Sequence, residues 1–212
     1  MTKSFLTCTA GIFVATIFAL PAMADEKSFD YSDFVEVDSS AGVNVDISVG
    51  GDYSIVATGS EKALERLRIE IKGDTLYVGR KKSVSWGRTP SVQVAVTMPA
   101  LEGVEASSGS SIDADGISGD DFSADASSGA SIVVEGTCTD LNVDVSSGAS
   151  INAEDLKCAE VIADGSSGGS ISATANEKVI ADASSGASIR IYGSPKETNI
   201  DKSSGGSVKI KK

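Results

Sequence analysis

The six letters "SSGASI" at 127–132 return at 146–151 and 184–189, with close variants at 107–112, 166–171 and 203–208. Successive Ser-Ser-Gly triplets are 20, 19, 20, 18 and 19 residues apart. A period near 20 residues belongs to a chain that winds one unit per repeat and buries each unit against the next. With the triplets in register, Ile112, Ile132, Ile151, Ile171, Ile189 and Val208 form one column. Two positions on stand Ala114, Val134, Ala153, Ala173, Ile191 and Ile210, and the residue between is usually polar or charged. This alternation is that of a short strand with one buried face.

A second strand precedes each triplet. Phe122, Leu141, Val161 and Val179 head it, and Ala124, Val143, Ala163, Ala181 and Ile200 follow two residues later. Two or three short strands per coil, stacked about 4.8 Å apart, predict an all-β fold: a single-stranded parallel β-helix (solenoid) with coils of about 19 residues. The triplet is its corner. Glycine supplies the positive φ of a sharp turn, and the serine hydroxyls are placed to bond neighbouring backbone or one another. Lys202 stands where earlier coils carry Ala106, Ala126, Val145, Gly165 and Ala183, so charge is expected to blunt the last coil as a pairing edge.

Residues 25–100 lack the triplet register but remain strand-rich, as in "VNVDISV", "RIEIKGDTLYV" and "VQVAVTM". "SSAGVNVDI" at 39–47 reads as a diverged first corner, and "SEKALERL" at 60–67 as a short helix with Ser60 as N-cap. This N-terminal β portion is expected to cap the coils of 101–212 within one domain spanning 25–212. Residues 1–24 read as a signal peptide: Lys3, an apolar run, then "AMA" at 22–24. Export to a periplasm, cell surface or medium is expected to follow, with no transmembrane segment in the mature chain.

The net charge is −12, and −13 without Lys3, which sets aside nucleic acid and anionic membranes as partners for the body of the protein. There is no histidine, so Ser-His-Asp and Cys-His machinery and most zinc sites are absent. No cofactor, metal site or catalytic residue is assigned. Cys138 and Cys158 each lie eight residues before their triplet, on adjacent coils, at a separation that a disulfide tolerates. The alternative is a reduced, buried pair of thiols.

Two surface features stand out. Asp125, Asp144, Asp164, Asp182 and Asp201, with Glu105 before them, form an outward acidic row beside the corners. Such a row can bond backbone donors of the corner, bind cations weakly, or act on a polysaccharide, although a catalytic pair needs two different environments and the row looks uniform. The segment "GRKKSVSWGRTP" at 79–90 gathers Arg80, Lys81, Lys82, Trp86 and Arg88 without an acid. It is either a binding loop for an anionic glycan or lipid headgroup, or a solvated hairpin.

The order "FVEVDSSAGVNVDISVGGDYSIVATGSEKALERLRIEIKGDTLYVG", then "VQVAVTMPALEGVEASSGSSI" and the Ser-Gly coils, resembles the putative auto-transporter adhesin, head GIN domain family. The resemblance implies a secreted β-helical envelope domain, often oligomeric, with no established enzymatic activity. The expected function is a non-enzymatic envelope or cell-surface module binding an envelope glycan, a lipid headgroup or a surface protein. A self-associating scaffold, for which a homo-oligomer is compatible, and a polysaccharide-acting enzyme using the Asp row are the alternatives.

Overall fold

The computed structural model describes residues 24–81 and 90–211. The signal-peptide reading and Lys82, Trp86 and Arg88 of the basic loop lie outside the described residues. Within them the chain is nearly all β, a solenoid whose six Ser-Ser-Gly corners mark off about five turns.

Four long strands make its body: β9 (Ser111–Ala126), β10 (Ser131–Val145), β11 (Ser150–Gly165) and β12 (Ser170–Ala183). They pair in parallel and in register, Ile132 on Ile112 and on Ile151, Asp144 on Asp125 and on Asp164. Each coil is thus one long strand where the sequence suggested two or three. The strand is bent at an irregularity, between Val134 and Gly136 in β10, and stays hydrogen-bonded through the bend. Gly136 marks that bend with φ 141°, and a Cβ there would run into the Ile117 carbonyl. The inner columns of small and branched aliphatic residues, Ile132, Val134, Val143, Ala163 and Ile171 among them, are fully buried. Such side chains bury apolar area without the width that would push the coil walls apart.

Each corner is a two-residue turn in which both central residues are left-handed: Ser128 with φ 53° and Gly129 with φ 72°. The Ala130 N–H closes it on the Ser127 carbonyl at 3.1 Å. Serine in this region is strained, because its Cβ crowds the carbonyl. The strain is offset by a ladder: the Gly109 N–H donates to Ser128, Gly129 to Ser147, Gly148 to Ser167 and Gly168 to Ser185, at 3.1–3.2 Å. The corner therefore rests on main chain. Hydroxyl bonds, expected at every corner, concentrate at the first ones, where Ser110 donates to the Ser39 carbonyl at 2.7 Å and Ser39 to that of Val43 at 3.1 Å.

The N-terminal portion joins this stack out of sequence order. Its strands are β1 (Asp25–Phe29), β2 (Glu36–Ser39), β3 (Asn44–Val49), β4 (Ser54–Gly59), β5 (Leu67–Lys72), β6 (Thr75–Arg80), β7 (Val92–Met98) and β8 (Gly103–Ala106). β2 and β3 flank the corner at Ala41 and Gly42, whose φ values of 59° and 68° make it a true member of the corner column. On one side this coil pairs with β8 and β9, and on the other with β6 and β7. On the outside β4 then pairs antiparallel with β7 and β5 with β6, with β1 beyond β4. The helix α1 (Glu61–Arg66) buries Ala63 and Leu64, and Ser60 takes its N-cap position with no side-chain bond. Larger groups fill this end: Phe34 is fully buried and its ring lies 4.9 Å from that of Tyr53, whose hydroxyl donates to the Phe34 carbonyl at 2.9 Å. One sheet and one apolar cluster run from here to β13 (Ser188–Tyr192), β14 (Glu197–Lys202) and β15 (Ser207–Lys211). At that far end Lys202 is exposed at the register position that Ala183 fills in the coil before.

The disulfide forms between Cys138 and Cys158, paired residues of β10 and β11 with Cα atoms 4.6 Å apart. Among the described residues no helix is long and apolar enough to cross a membrane.

Candidate functional site

Strand alternation places the residue two before each corner outside, and parallel pairing in register stacks those residues in one line. The line reads Asp38, Glu105, Asp125, Asp144, Asp164, Asp182 and Asp201. The structure thus brings together all five aspartates of the sequence row with Glu105, and adds Asp38. That extra member was readable: it sits two residues before Ser40 of the diverged corner, as Asp125 sits two before Ser127. A groove of about 280 Å³ runs beside the line, walled by Glu105, Asp125, Asp144, Asp164 and Asp182 and by the first serine of four corners, Ser127, Ser146, Ser166 and Ser184.

The expectation that each aspartate bonds a backbone donor of the corner is not met. Among the described residues none of the seven carboxylates receives a hydrogen bond or an ion pair. In the corners the first-serine, glycine and fourth-residue N–H groups go to main-chain carbonyls, as in Ser127 to Ala106, Gly129 to Ser147 and Ala130 to Ser127. Three of the row's carboxyls, Asp38, Asp125 and Asp164, bind protons more tightly than a free carboxylate. Burial, with help from Glu105 and against the pull of Lys72, pushes Asp38 up to about 6. Burial, followed by Asp144 and Glu105, pushes Asp125 up to about 6 as well. Asp164 is raised by burial and by its neighbours Asp144 and Asp182. The row thus holds at least three carboxylates of raised proton affinity. Its members stand in file and do not converge: among the described residues no three acidic, Cys or His groups are placed to hold a metal ion.

A second acidic column lies four residues back along the same strands: Asp121, Asp140, Glu160, Lys178 and Glu197. Sequence reading missed it, although each member stands six residues before its triplet. Lys178 is the one cation of the column and bonds Glu160 at 2.8 Å; that bond raises its own proton affinity. Between the two columns runs a third, Ser123, Asn142, Ile162, Ile180 and Asn199. Its Ile162 is 43% exposed, the most open of the large apolar residues described. A second groove of about 410 Å³ lies here, lined by Glu36, Asp121, Asp140, Asn142, Glu160 and Ile162 among others.

At the N-terminal end the line meets Tyr77 of β6, paired with Asp38, and Lys72 lies 4.6 Å over the Tyr77 ring. Lys72 also bonds Glu70, which Arg68 holds from its other side; these bonds lower the Glu70 pKa. The described part of the basic segment is engaged with the fold. Arg80 donates through Nε to the Ala41 carbonyl at 3.0 Å and through Nη2 to that of Gly42 at 3.2 Å. Burial, then the neighbouring Arg66, lowers its pKa. Lys81 donates through Nζ to the Glu65 carbonyl at 2.9 Å and through its backbone N–H to Arg66, closing the end of α1.

The family model described as "Putative auto-transporter adhesin, head GIN domain" matches residues 33–195. Among solved structures, a putative adhesin from Bacteroides fragilis is similar with a TM-score of 0.73 at 17% identity, over 90% of this chain and 98% of that one. A putative adhesin from Parabacteroides merdae follows with a TM-score of 0.57 at 18% identity, over 90% of this chain and 97% of that one. A putative lipid binding protein from Parabacteroides distasonis has a TM-score of 0.50 at 16% identity, over 90% and 98%. No curated protein matches. At these identities the solved structures speak for the fold, and the family match, which takes in every coil from the diverged corner to β13, decides membership: the chain belongs to the putative auto-transporter adhesin, head GIN domain family.

Proposed function

We propose that this protein is a non-enzymatic binding module, exported to the bacterial envelope or cell surface, which holds a partner on the face that carries the two acidic columns. The observation that carries this reading is the row of seven unpaired carboxylates in file beside an open groove. Aligned, unpaired charge costs stability in the free protein, and a partner that supplies countercharge recovers it. Membership in an adhesin family supports a role in binding. The disulfide is consistent with an oxidising compartment. The partner classes are an envelope glycan, a lipid headgroup or a surface protein.

The test is capture from envelope extracts by immobilised protein spanning 25–212, beside two variants. One carries Asp125→Asn, Asp144→Asn and Asp164→Asn; the other carries serine in place of Lys82, Trp86 and Arg88. Capture lost in the first supports the acidic face. Capture lost only in the second would move the site to the basic segment, and no capture at all would favour a self-associating scaffold. The raised proton affinities of Asp38, Asp125 and Asp164 keep one enzymatic reading testable: glycan turnover abolished by Asp144→Asn or Asp164→Asn would overturn the non-enzymatic one.

A further inference from the structure

Ile162 is a large apolar residue open to solvent on an otherwise polar and acidic face. Its side chain faces away from the core, between buried Val161 and Ala163, in a column whose members at Ser123, Asn142 and Asn199 are polar. It stacks on Ile180, so the apolar strip spans two coils. Carboxylates flank it along its own strand, Glu160 on one side and Asp164 on the other. The groove at this place has Ile162 on its floor and Asp121, Asp140 and Glu160, with Glu36 and Glu102, around it, and the aspartate line stands two residues further along each strand.

We propose that this groove docks an extended, basic segment of a protein partner, in which one apolar side chain sits on Ile162 and the lysines or arginines beside it reach the two acidic columns. The inference rests on the binding-module reading and names its partner. Charge complementarity argues for it: the face is acidic on both rims, on a chain of net charge −12. Lys178 already shows that a lysine ammonium can settle on one column, 2.8 Å from Glu160. The spacings agree as well. A polyproline-type chain advances about 9.3 Å per three-residue turn, close to two coils at about 4.8 Å each. Every third side chain can then point at the floor while the two between point to either rim. The columns are four residues apart along the strand, about 13 Å. Flexible four-carbon lysine stems on both sides of a central chain can bridge that width while keeping their charged heads at the rims.

The experiment is fluorescence anisotropy of the protein spanning 25–212 at near-physiological salt, with two labelled nonapeptides. One is three Lys-Leu-Lys triplets, the other three Lys-Ser-Lys triplets of identical charge. The leucine peptide is expected to bind about tenfold more tightly, as a few apolar contacts of this size give. Ile162→Ser should erase that advantage and leave the serine peptide unchanged. Asp140→Asn with Glu160→Gln should weaken both. All these sites are on the surface, and unchanged melting temperatures would show the variants to be folded. Equal binding of the two peptides, or an advantage that survives Ile162→Ser, overturns the proposal. So does a concentration-dependent dimer abolished by Ile162→Ser, which would give the groove to a second copy, or peptides that fail where lipid vesicles bind. Envelope capture that persists on the acidic face while the peptides fail would leave the binding module standing and sink this inference alone.

Discussion

In the repeat coils a corner hands its hydrogen bond to the next corner, main chain to main chain, from Gly129 to Ser147 and from Gly148 to Ser167. At the N-terminal end there is no further corner to give, and the guanidinium of Arg80, on the strand next in the stack, donates to Ala41 and Gly42 instead. The core changes in the same way. Alanine, valine and isoleucine repeat along the coils, whereas Phe34, Tyr53 and Met98 gather at the capping end. A periodic stack satisfies its own backbone as long as another coil follows, so its sequence can repeat. Where the period stops, donors and apolar cover must come from side chains, and the sequence turns irregular.

The comparison can be broken most strongly at the disulfide that clips two coils together. Cys138→Ser opens a bridge across 20 residues of sequence and should cost about 3 kcal/mol. Denaturant midpoints of wild type with and without reductant should reproduce the loss, and an equal midpoint would show that the main-chain ladder alone holds β10 on β11.

Arg80→Ala tests the capping end. It leaves the Ala41 and Gly42 carbonyls without this donor and should cost about 1–2 kcal/mol. Hydrogen exchange should rise around 40–45 and 75–81 and stay unchanged beyond 130. Protection lost evenly along the coils would mean that the cap and the repeats fold as one unit, with no local role for Arg80.

Proton linkage on the acidic line should have a smaller effect. Asp38 and Asp125 bind protons more tightly when folded, so their contribution to stability is full below the unfolded carboxylate pKa and is lost as pH rises through about 6. Both are half-exposed, so with solvent screening the change is on the order of 1 kcal/mol. Melting temperatures across pH 4–8 should show this slope, flattened in Asp125→Asn. Glu70, whose pKa is lowered, acts in the opposite sense and only at more acid pH.

The smallest expected effect is at the corner itself. Ser147 is exposed with φ 52°, and Asn tolerates the left-handed region better than Ser. Ser147→Asn should stabilise by a few tenths of a kcal/mol, up to about 1. A loss measured by calorimetry would mean that the serine side chain contributes more than its backbone geometry requires.

The coil period, the buried columns, the cysteine pair and the aspartate line were legible because each follows from spacing alone. Residues at equal distances from the triplet must stack when strands pair in register, whatever their chemistry. The single bent strand per coil was not legible, since period-2 alternation breaks at Gly136 whether the chain turns or only bends. The second acidic column mixes Asp, Glu and Lys and so forms no repeating letter, although its spacing is as regular as that of the first.

The sequence by itself determined that this chain stacks coils, which adjacent coils carry the two cysteines, and that carboxylates line up beside the corners, because a repeat transmits its register to every copy. Only the tertiary structure decided what closes the end of the stack and which columns share a face. β6 and β7 cover the diverged coil from one side while β8 and β9 cover it from the other, an order that chain succession does not show. Through that crossing Asp38 joins the acidic line and Arg80 reaches the first corner. The corner serines, which read as hydroxyl donors, turned out to matter through the carbonyls that their left-handed backbone aims along the stack.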